Sequence, residues 1–198
     1  MSVKKILFIV VGVVVLLLVV WWLKLSVPNY PDIQSPRPIA GNEQASLVLT
    51  EFSDFQCPAC KAAQPLLKDL MATFGDRLRL EFKHYPLISI HTQAFRAALA
   101  VECANDQEQF WQYHDKLFDN QPNFSEEELI NYAGELNLDK EKFSACLLSK
   151  AKTNEVRQDI KEGDGRQVNA TPTFLLNGEP VVDWTKLKEI IQSKLIGG

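Results

Sequence analysis

The chain has 198 residues, with 25 acidic against 21 basic side chains and a formal net charge of −4. Nothing in that balance builds a field to hold phosphates, so no nucleic-acid partner is expected. Four cysteines are too few for a scaffold in which bridges replace a core, and the default is one domain with a core of its own.

Ile6 to Leu23 reads ILFIVVGVVVLLLVVWWL, eighteen residues without a charge. As a helix it would cover about 27 Å, against about 30 Å for the hydrocarbon core of a bilayer. The run is long for the apolar region of a signal peptide, and Leu23-Lys24-Leu25-Ser26 makes a poor cleavage site, so an uncleaved transmembrane anchor is expected over 6–23. Trp21 and Trp22 suit a membrane interface. Lys4 and Lys5 before the span outweigh Lys24 and the more distant Arg37 after it, which puts residues 1–5 in the cytoplasm. The rest then lies on the extracytoplasmic side, periplasmic or extracellular. Residues 24–44, with Pro28, Pro31, Pro36 and Pro38, read as an extended linker, and the folded domain is expected over 45–198.

Ser46 to Ser53 (SLVLTEFS) is mainly apolar with β-branched and aromatic residues, the pattern of a strand buried on both faces. Pro58 then fits the first position of a helix that Leu66, Leu67, Leu70, Met71 and Phe74 carry to a Gly75 cap. Arg77 to Tyr85 alternates Leu78, Leu80 and Phe82 with charges, which predicts a second strand ended by Pro86. A block of helices follows, about 92–165, over Thr92–Asn105, Gln107–Asp119, Ser125–Leu136, Asp139–Ser149 and Lys152 to about Glu162. Ser125 and Asp139 are their plausible N-caps. Thr173 to Leu176, Asn177-Gly178 and Val181-Val182 predict a strand, a type I′ turn and a strand, before a last helix from Trp184 to Leu195. The fold class is α/β.

Cys57 and Cys60 lie where the first strand meets its helix. A thiol acts as a nucleophile only as thiolate, and the exposed N–H groups and dipole of a helix N-terminus stabilise that charge. Cysteines so placed titrate at roughly 3.5–7.5 instead of about 8.5. Cys60, one turn further in, would be the shielded resolving thiol. A Cys-x-x-Cys pair alone also serves in metal sites. However, no second pair exists, Cys103 and Cys146 lack the spacing, and His84, His91 and His114 form no ligand pattern, so no metal is expected. The three histidines read as structural or solvent-facing groups, and Trp111, Tyr113, Leu117 and Phe118 as packing residues of one helix.

Cys57-Pro58-Ala59-Cys60 after a strand, with Ala170-Thr171-Pro172-Thr173 before another, resembles the thioredoxin-fold oxidoreductases. The long helical block narrows the resemblance to the DsbA-like group, over about residues 45–195. It implies a thioredoxin fold, β-α-β then β-β-α, with an inserted helical subdomain, and thiol:disulfide exchange without a cofactor. It implies further that Glu51 is the buried acid that takes the proton of the second cysteine; its plain alternative is a carboxylate at a strand edge. Pro65 falls where thioredoxins carry a helix-kinking proline. Pro172 would be the cis-proline beside the active site, the alternative being an ordinary trans loop proline, and Thr171 would offer its backbone to an extended substrate.

Ala59 departs from the Cys-Pro-His-Cys of the best-known oxidase, and loss of that histidine points to a less oxidising pair. Some DsbA-like proteins carry an extra helical disulfide, and the inward faces of Cys103 and Cys146 suit one, inert buried thiols being the alternative. The substrates implied are reduced extracytoplasmic proteins, and the partner a quinone-linked membrane protein of the DsbB or VKOR type. A reductase or isomerase, or a non-catalytic chaperone or metal-delivery module on the same fold, remain alternatives.

Overall fold

The computed structural model describes residues 12–18 and 36–196. The chain divides into two units, Met1–Pro31 and Asp32–Gly198. In the first, residues 12–18 are helical; the rest of the anchor expected over 6–23 lies outside the described residues. Among the described residues no helix is long and apolar enough to cross a membrane.

The second unit begins earlier than the linker reading allowed. Ile39–Gly41 is a strand, β1, paired antiparallel with β3 (Leu78–His84) at the sheet edge. Three tertiary ties draw this stretch in. Arg37 reaches the buried carboxylate of Asp159 at 2.8 Å, Asn105 donates to the Pro36 carbonyl at 3.1 Å, and Trp111 Nε1 donates to the Ile39 carbonyl at 3.1 Å. Prolines stiffened the approach to the strand without excluding the strand itself.

The five-stranded sheet runs β1-β3-β2-β4-β5, with β2 at Leu47–Ser53, β4 at Thr173–Leu176 and β5 at Glu179–Pro180. β2 and β3 are parallel, joined through helix α1, Pro58–Phe74, while β4 pairs antiparallel with β2. Both β2 and β3 lie between two strands, but β2, at the centre, buries nearly every side chain, whereas β3, next to the short edge strand β1, alternates inward Leu78, Leu80, Phe82 and His84 with half-buried Arg79, Glu81 and Lys83. Asn177 and Gly178, at φ +50° and +85°, make the expected turn. The strand after it is Glu179–Pro180 rather than Val181-Val182, because a two-residue turn fixes the register at once and leaves Val182 fully exposed. Gly75 ends α1 with φ −54°, so the left-handed freedom of glycine is not what this cap uses.

One sheet face packs Leu49, Leu80 and Phe174 against Leu67 and Leu70 of α1 and Ile191 of α7, Leu187–Ile196. A 3₁₀ turn, Trp184–Lys186, precedes α7. On the other face Phe52 and Tyr85 meet α6, Thr153–Gly165, where a Cβ on Gly163 would come within 2.7 Å of the Tyr85 ring. The helical block also holds α2 (Ala94–Asn105), α3 (Phe110–Asp119), α4 (Glu126–Glu135) and α5 (Lys140–Ser149). α3 starts at Phe110, three residues later than the sequence pattern, because Glu108 sits at φ +61° and breaks the helical run. Ser125 and Asp139 cap α4 and α5 as expected. Cys103 and Cys146 form a disulfide between α2 and α5, with Cα atoms 5.8 Å apart.

Candidate active site

β2 delivers the chain into a tight turn whose hinge is Asp54. The Asp54 carboxylate accepts from Gln56 N–H and Leu87 N–H, both at 2.7 Å, and from His91 Nδ1 at 2.7 Å. Its backbone carbonyl accepts from Cys57 N–H at 3.0 Å. This turn sets Cys57 as the N-cap of α1 in extended geometry, with Pro58 at the first helical position, where its missing N–H leaves no bond unmade. Gln121, reaching in from beyond α3, donates to the carbonyls of Phe55 and Cys57 at 2.6 and 3.0 Å and ties the turn from outside.

The two thiols receive unequal environments. Cys57 is 7% exposed and Cys60 fully buried, while Pro58 and Ala59 between them face solvent. The Cys60 thiol, then the Thr171 side chain and the backbone N–H groups of Cys60 and Ala59, stabilise negative charge on Cys57 and, against the opposing effect of burial, bring its pKa down to about 5. Burial pushes the Cys60 thiol far up, and the neighbouring Cys57 and Glu51 charges push the same way. At neutral pH the reduced pair is therefore a thiolate beside a thiol. Absorbance of the reduced protein at 240 nm should show one thiolate titrating near pH 5, with the second thiol silent through pH 9. Two thiols titrating together above pH 8 would contradict this asymmetry. The stability the thiolate gives the reduced form is complete above its ordinary value of 9.0 and is lost as pH falls through about 5.

Across the site, Thr171 and Pro172 are joined by a cis peptide bond. When protonated, the Cys57 thiol donates to the Thr171 carbonyl, 3.3 Å away. Glu51 lies behind the pair on β2, fully buried, between Phe82 of β3 and Phe174 of β4. The strand-edge alternative fails, since β2 is the central strand. Burial raises the Glu51 carboxyl from 4.5 to about 7. Gln64 of α1 donates to its Oε1 at 3.4 Å, while Oε2 has no partner. A raised acid favours folding below its ordinary pKa, and that contribution is lost as pH rises through about 7. In the oxidised protein, where the cysteines do not titrate, Glu51→Gln should remove this loss. The variant should gain about 3 kcal/mol on wild type above pH 8. Parallel urea midpoints for the two proteins from pH 5 to 8 would show that Glu51 does not titrate there.

The structure thus gathers Cys57, Cys60, Glu51, Pro58, Ala59, Thr171 and Pro172 in one place, and keeps Cys103 and Cys146 as a separate bridge in the helical block. Pro65 lies within α1, which continues through it. His84 is buried against Glu102 at 2.9 Å and His114 is buried in an aromatic cluster, whereas His91 supports the turn. Among the described residues no group of His, Cys, Asp and Glu is placed to hold a metal ion. Asp54, Gln64 and Gln121 were not singled out from the sequence. Asp54, two residues before Gln56 in a strand-to-helix turn, carried an Asx-turn signal that could have marked it; the two glutamines carried none.

A family model described as Thioredoxin matches residues 34–193. Among curated proteins, the chain is 34% identical over 154 residues to Na(+)/H(+) antiporter NhaA 3 of Salinispora tropica, covering 78% of this chain and 23% of that protein. It is 40% identical over 154 residues to Na(+)/H(+) antiporter NhaA of Herminiimonas arsenicoxydans, covering 78% and 24%. The chain spans about a quarter of the length of these relatives. Among solved structures, oxidised BdbD of Bacillus subtilis superposes with a TM-score of 0.72 at 25% identity, over 80% of this chain and 92% of that one. DsbA2 of Pseudomonas aeruginosa gives 0.64 at 24%, over 80% and 94%. With a central parallel β2-β3 pair, a cysteine pair heading α1, a cis-proline opposite it and a helical block between the two halves, the chain belongs to the thioredoxin family and has a DsbA-like fold.

Proposed function

We propose that this chain is an extracytoplasmic thiol:disulfide oxidoreductase that introduces disulfides into secreted or membrane proteins. The observation that carries the reading is the unequal pair: Cys57 held to about 5 at a helix N-terminus, Cys60 buried as a thiol beside Glu51. Stabilising the reduced form in this way makes the oxidised form a stronger acceptor of electrons.

A substrate thiolate attacks Cys57 Sγ, the more accessible sulfur. The Cys57–Cys60 bond breaks and its electron pair leaves on Cys60, which takes a proton from Glu51. A second substrate thiolate then attacks the substrate sulfur of the mixed disulfide, and Cys57 departs as a thiolate that its helix stabilises. The substrate is oxidised by two electrons and the pair reduced by two. Thr171, held beside Cys57 by the cis-proline, offers backbone to an extended substrate strand, which reads many partners because it reads no side chain. Reoxidation falls to a quinone-linked membrane protein of the DsbB or VKOR type, and an anchor over 6–23 would raise the frequency of that encounter. The Cys103–Cys146 bridge supports an oxidising compartment, where such bonds persist.

Ala59, in place of the histidine that the best-known oxidase carries, favours a second reading, a reductase or isomerase fed from a membrane donor. The reduction potential against a glutathione series decides. A value toward about −120 mV is expected for the oxidase, and one near about −270 mV would overturn it.

A further inference from the structure

The backbone of Asp54 meets both cysteines. Its N–H donates to Cys60 Sγ at 3.5 Å, and its carbonyl accepts from Cys57 N–H at 3.0 Å. The side chain is fully buried, and both of its oxygens are occupied. Oδ1 accepts from Gln56 N–H, and Oδ2 from Leu87 N–H and His91 Nδ1, each at 2.7 Å. An Asx turn needs only one of those oxygens. Asparagine or serine would supply it without burying a carboxylate, which is costly unless its hydrogen bonds are met. The second oxygen serves another stretch of chain, the loop over residues 87–91 beyond β3. Because Oδ2 already takes the Leu87 N–H and can only accept, the proton between it and His91 sits on Nδ1. The imidazole can hold it there neutral or charged, so the tie does not depend on the ionisation of His91.

Cys60 is the sulfur that has to leave when the pair is attacked at Cys57. It is fully buried, so charge developing on it is met by protein donors alone. Burial pushes the thiol up, with the Cys57 and Glu51 charges acting the same way; the Ser53 hydroxyl and the Asp54 N–H oppose them. A hydroxyl turns to suit its surroundings, whereas a backbone N–H points where the turn puts it. Three donors on one short side chain hold the Asp54 Cα, and with it the direction of that N–H.

We infer that Asp54 and His91 are positioning residues for the departure of Cys60: His91, through the Asp54 side chain, keeps the Asp54 N–H on Cys60 Sγ while charge develops there. The inference rests on the proposed thiol–disulfide exchange and names the step that this pair serves. A substrate thiolate attacks Cys57 Sγ, the Cys57–Cys60 bond breaks, and its electron pair goes to Cys60 Sγ, against which the N–H already lies. A thiolate leaves faster the better its charge is stabilised. Neither Asp54 nor His91 touches the substrate, gives up a proton or changes oxidation state.

The test compares two rates in full-length protein. Reduction of the oxidised pair by a thiol peptide, followed by stopped-flow fluorescence, requires Cys60 to leave. Alkylation of the reduced protein by iodoacetamide reads Cys57 as a nucleophile and does not. His91 is 18% exposed on its loop, and His91→Ala should slow reduction about tenfold while alkylation stays within about twofold of wild type. A preorganised donor facing a developing oxyanion is worth about 10²–10³ in rate, and sulfur is the weaker acceptor. His91→Asn, whose amide nitrogen takes the place of Nδ1, should restore most of the rate, and Asp54→Asn, with one oxygen left for three donors, should slow reduction at least as much as His91→Ala. A turn that had merely loosened would slow reduction and alkylation alike. That result, wild-type reduction in folded His91→Ala, or no rescue by His91→Asn would overturn the positioning role; if His91→Ala does not fold, Asp54→Asn decides in the same terms. Disulfide transfer surviving Cys57→Ser would instead overturn the exchange reading beneath it.

Discussion

A Cys57→Ser protein should oxidise a reduced test protein no faster than the uncatalysed reaction, whereas Cys60→Ala, given a disulfide-bonded peptide, should react once and then stop as a mixed disulfide with it. Serine cannot form a disulfide, so the first variant has no acceptor for the incoming thiolate. In the second, the Cys57 thiolate attacks the peptide disulfide and expels one of its sulfurs as thiolate, but no neighbouring thiol then releases the half that stays joined. Cys60→Ala also removes the side chain that contributes most to the Cys57 thiolate, so the Cys57 titration should move up from about 5 toward the ordinary thiol range. Intact-mass detection of the adduct and absorbance at 240 nm read the two effects separately. Full turnover by Cys60→Ala would show that Cys60 does not resolve the mixed disulfide.

The second large effect concerns stability. Cys103 and Cys146 are 43 residues apart and fully buried. Closing a loop of that length restricts the unfolded chain by about 4 kcal/mol on the chain-entropy account. The bridge is therefore a substantial part of the roughly 5–15 kcal/mol that holds a domain together. Cys103→Ala with Cys146→Ala should lower the urea midpoint accordingly while leaving the Cys57 titration near pH 5, because the bridge ties α2 to α5 and contacts none of the groups around Cys57. An unchanged midpoint would mean that the helical block holds its shape without the bond.

Elements whose identity is set by local pattern were legible in the sequence. β2 announced itself through a continuous apolar run, β3 through alternation, α1 through Pro58 and its leucines, and the hairpin through Asn177-Gly178. The cysteine pair followed from its place at a strand-to-helix junction. What stayed hidden was set by contacts distant in sequence. β1 needs Arg37 to find Asp159 and Trp111 to find Ile39, partners more than seventy residues away, and nothing local in a proline-rich stretch reports them. β5 was displaced because the two-residue turn, not the β-propensity of Val181 and Val182, sets the pairing. The surroundings of Glu51 were invisible for a like reason: Gln64, Lys68, His114 and Asp115 belong to two helices whose meeting no periodicity predicts. His114 read as a structural or solvent-facing group, and it is buried among aromatic rings.

The two outer strands of the sheet are three and two residues long, and the shorter ends in Pro180, which has no N–H to offer. Long open strand edges recruit other extended chains, and this is the start of aggregation. On the proposed function the protein works among unfolded chains and meets that hazard at every encounter. Among the described residues the sheet gives such chains almost no free edge, so on that proposal backbone pairing with a stranger would fall beside Thr171, where the stranger's sulfur would also come within reach of Cys57.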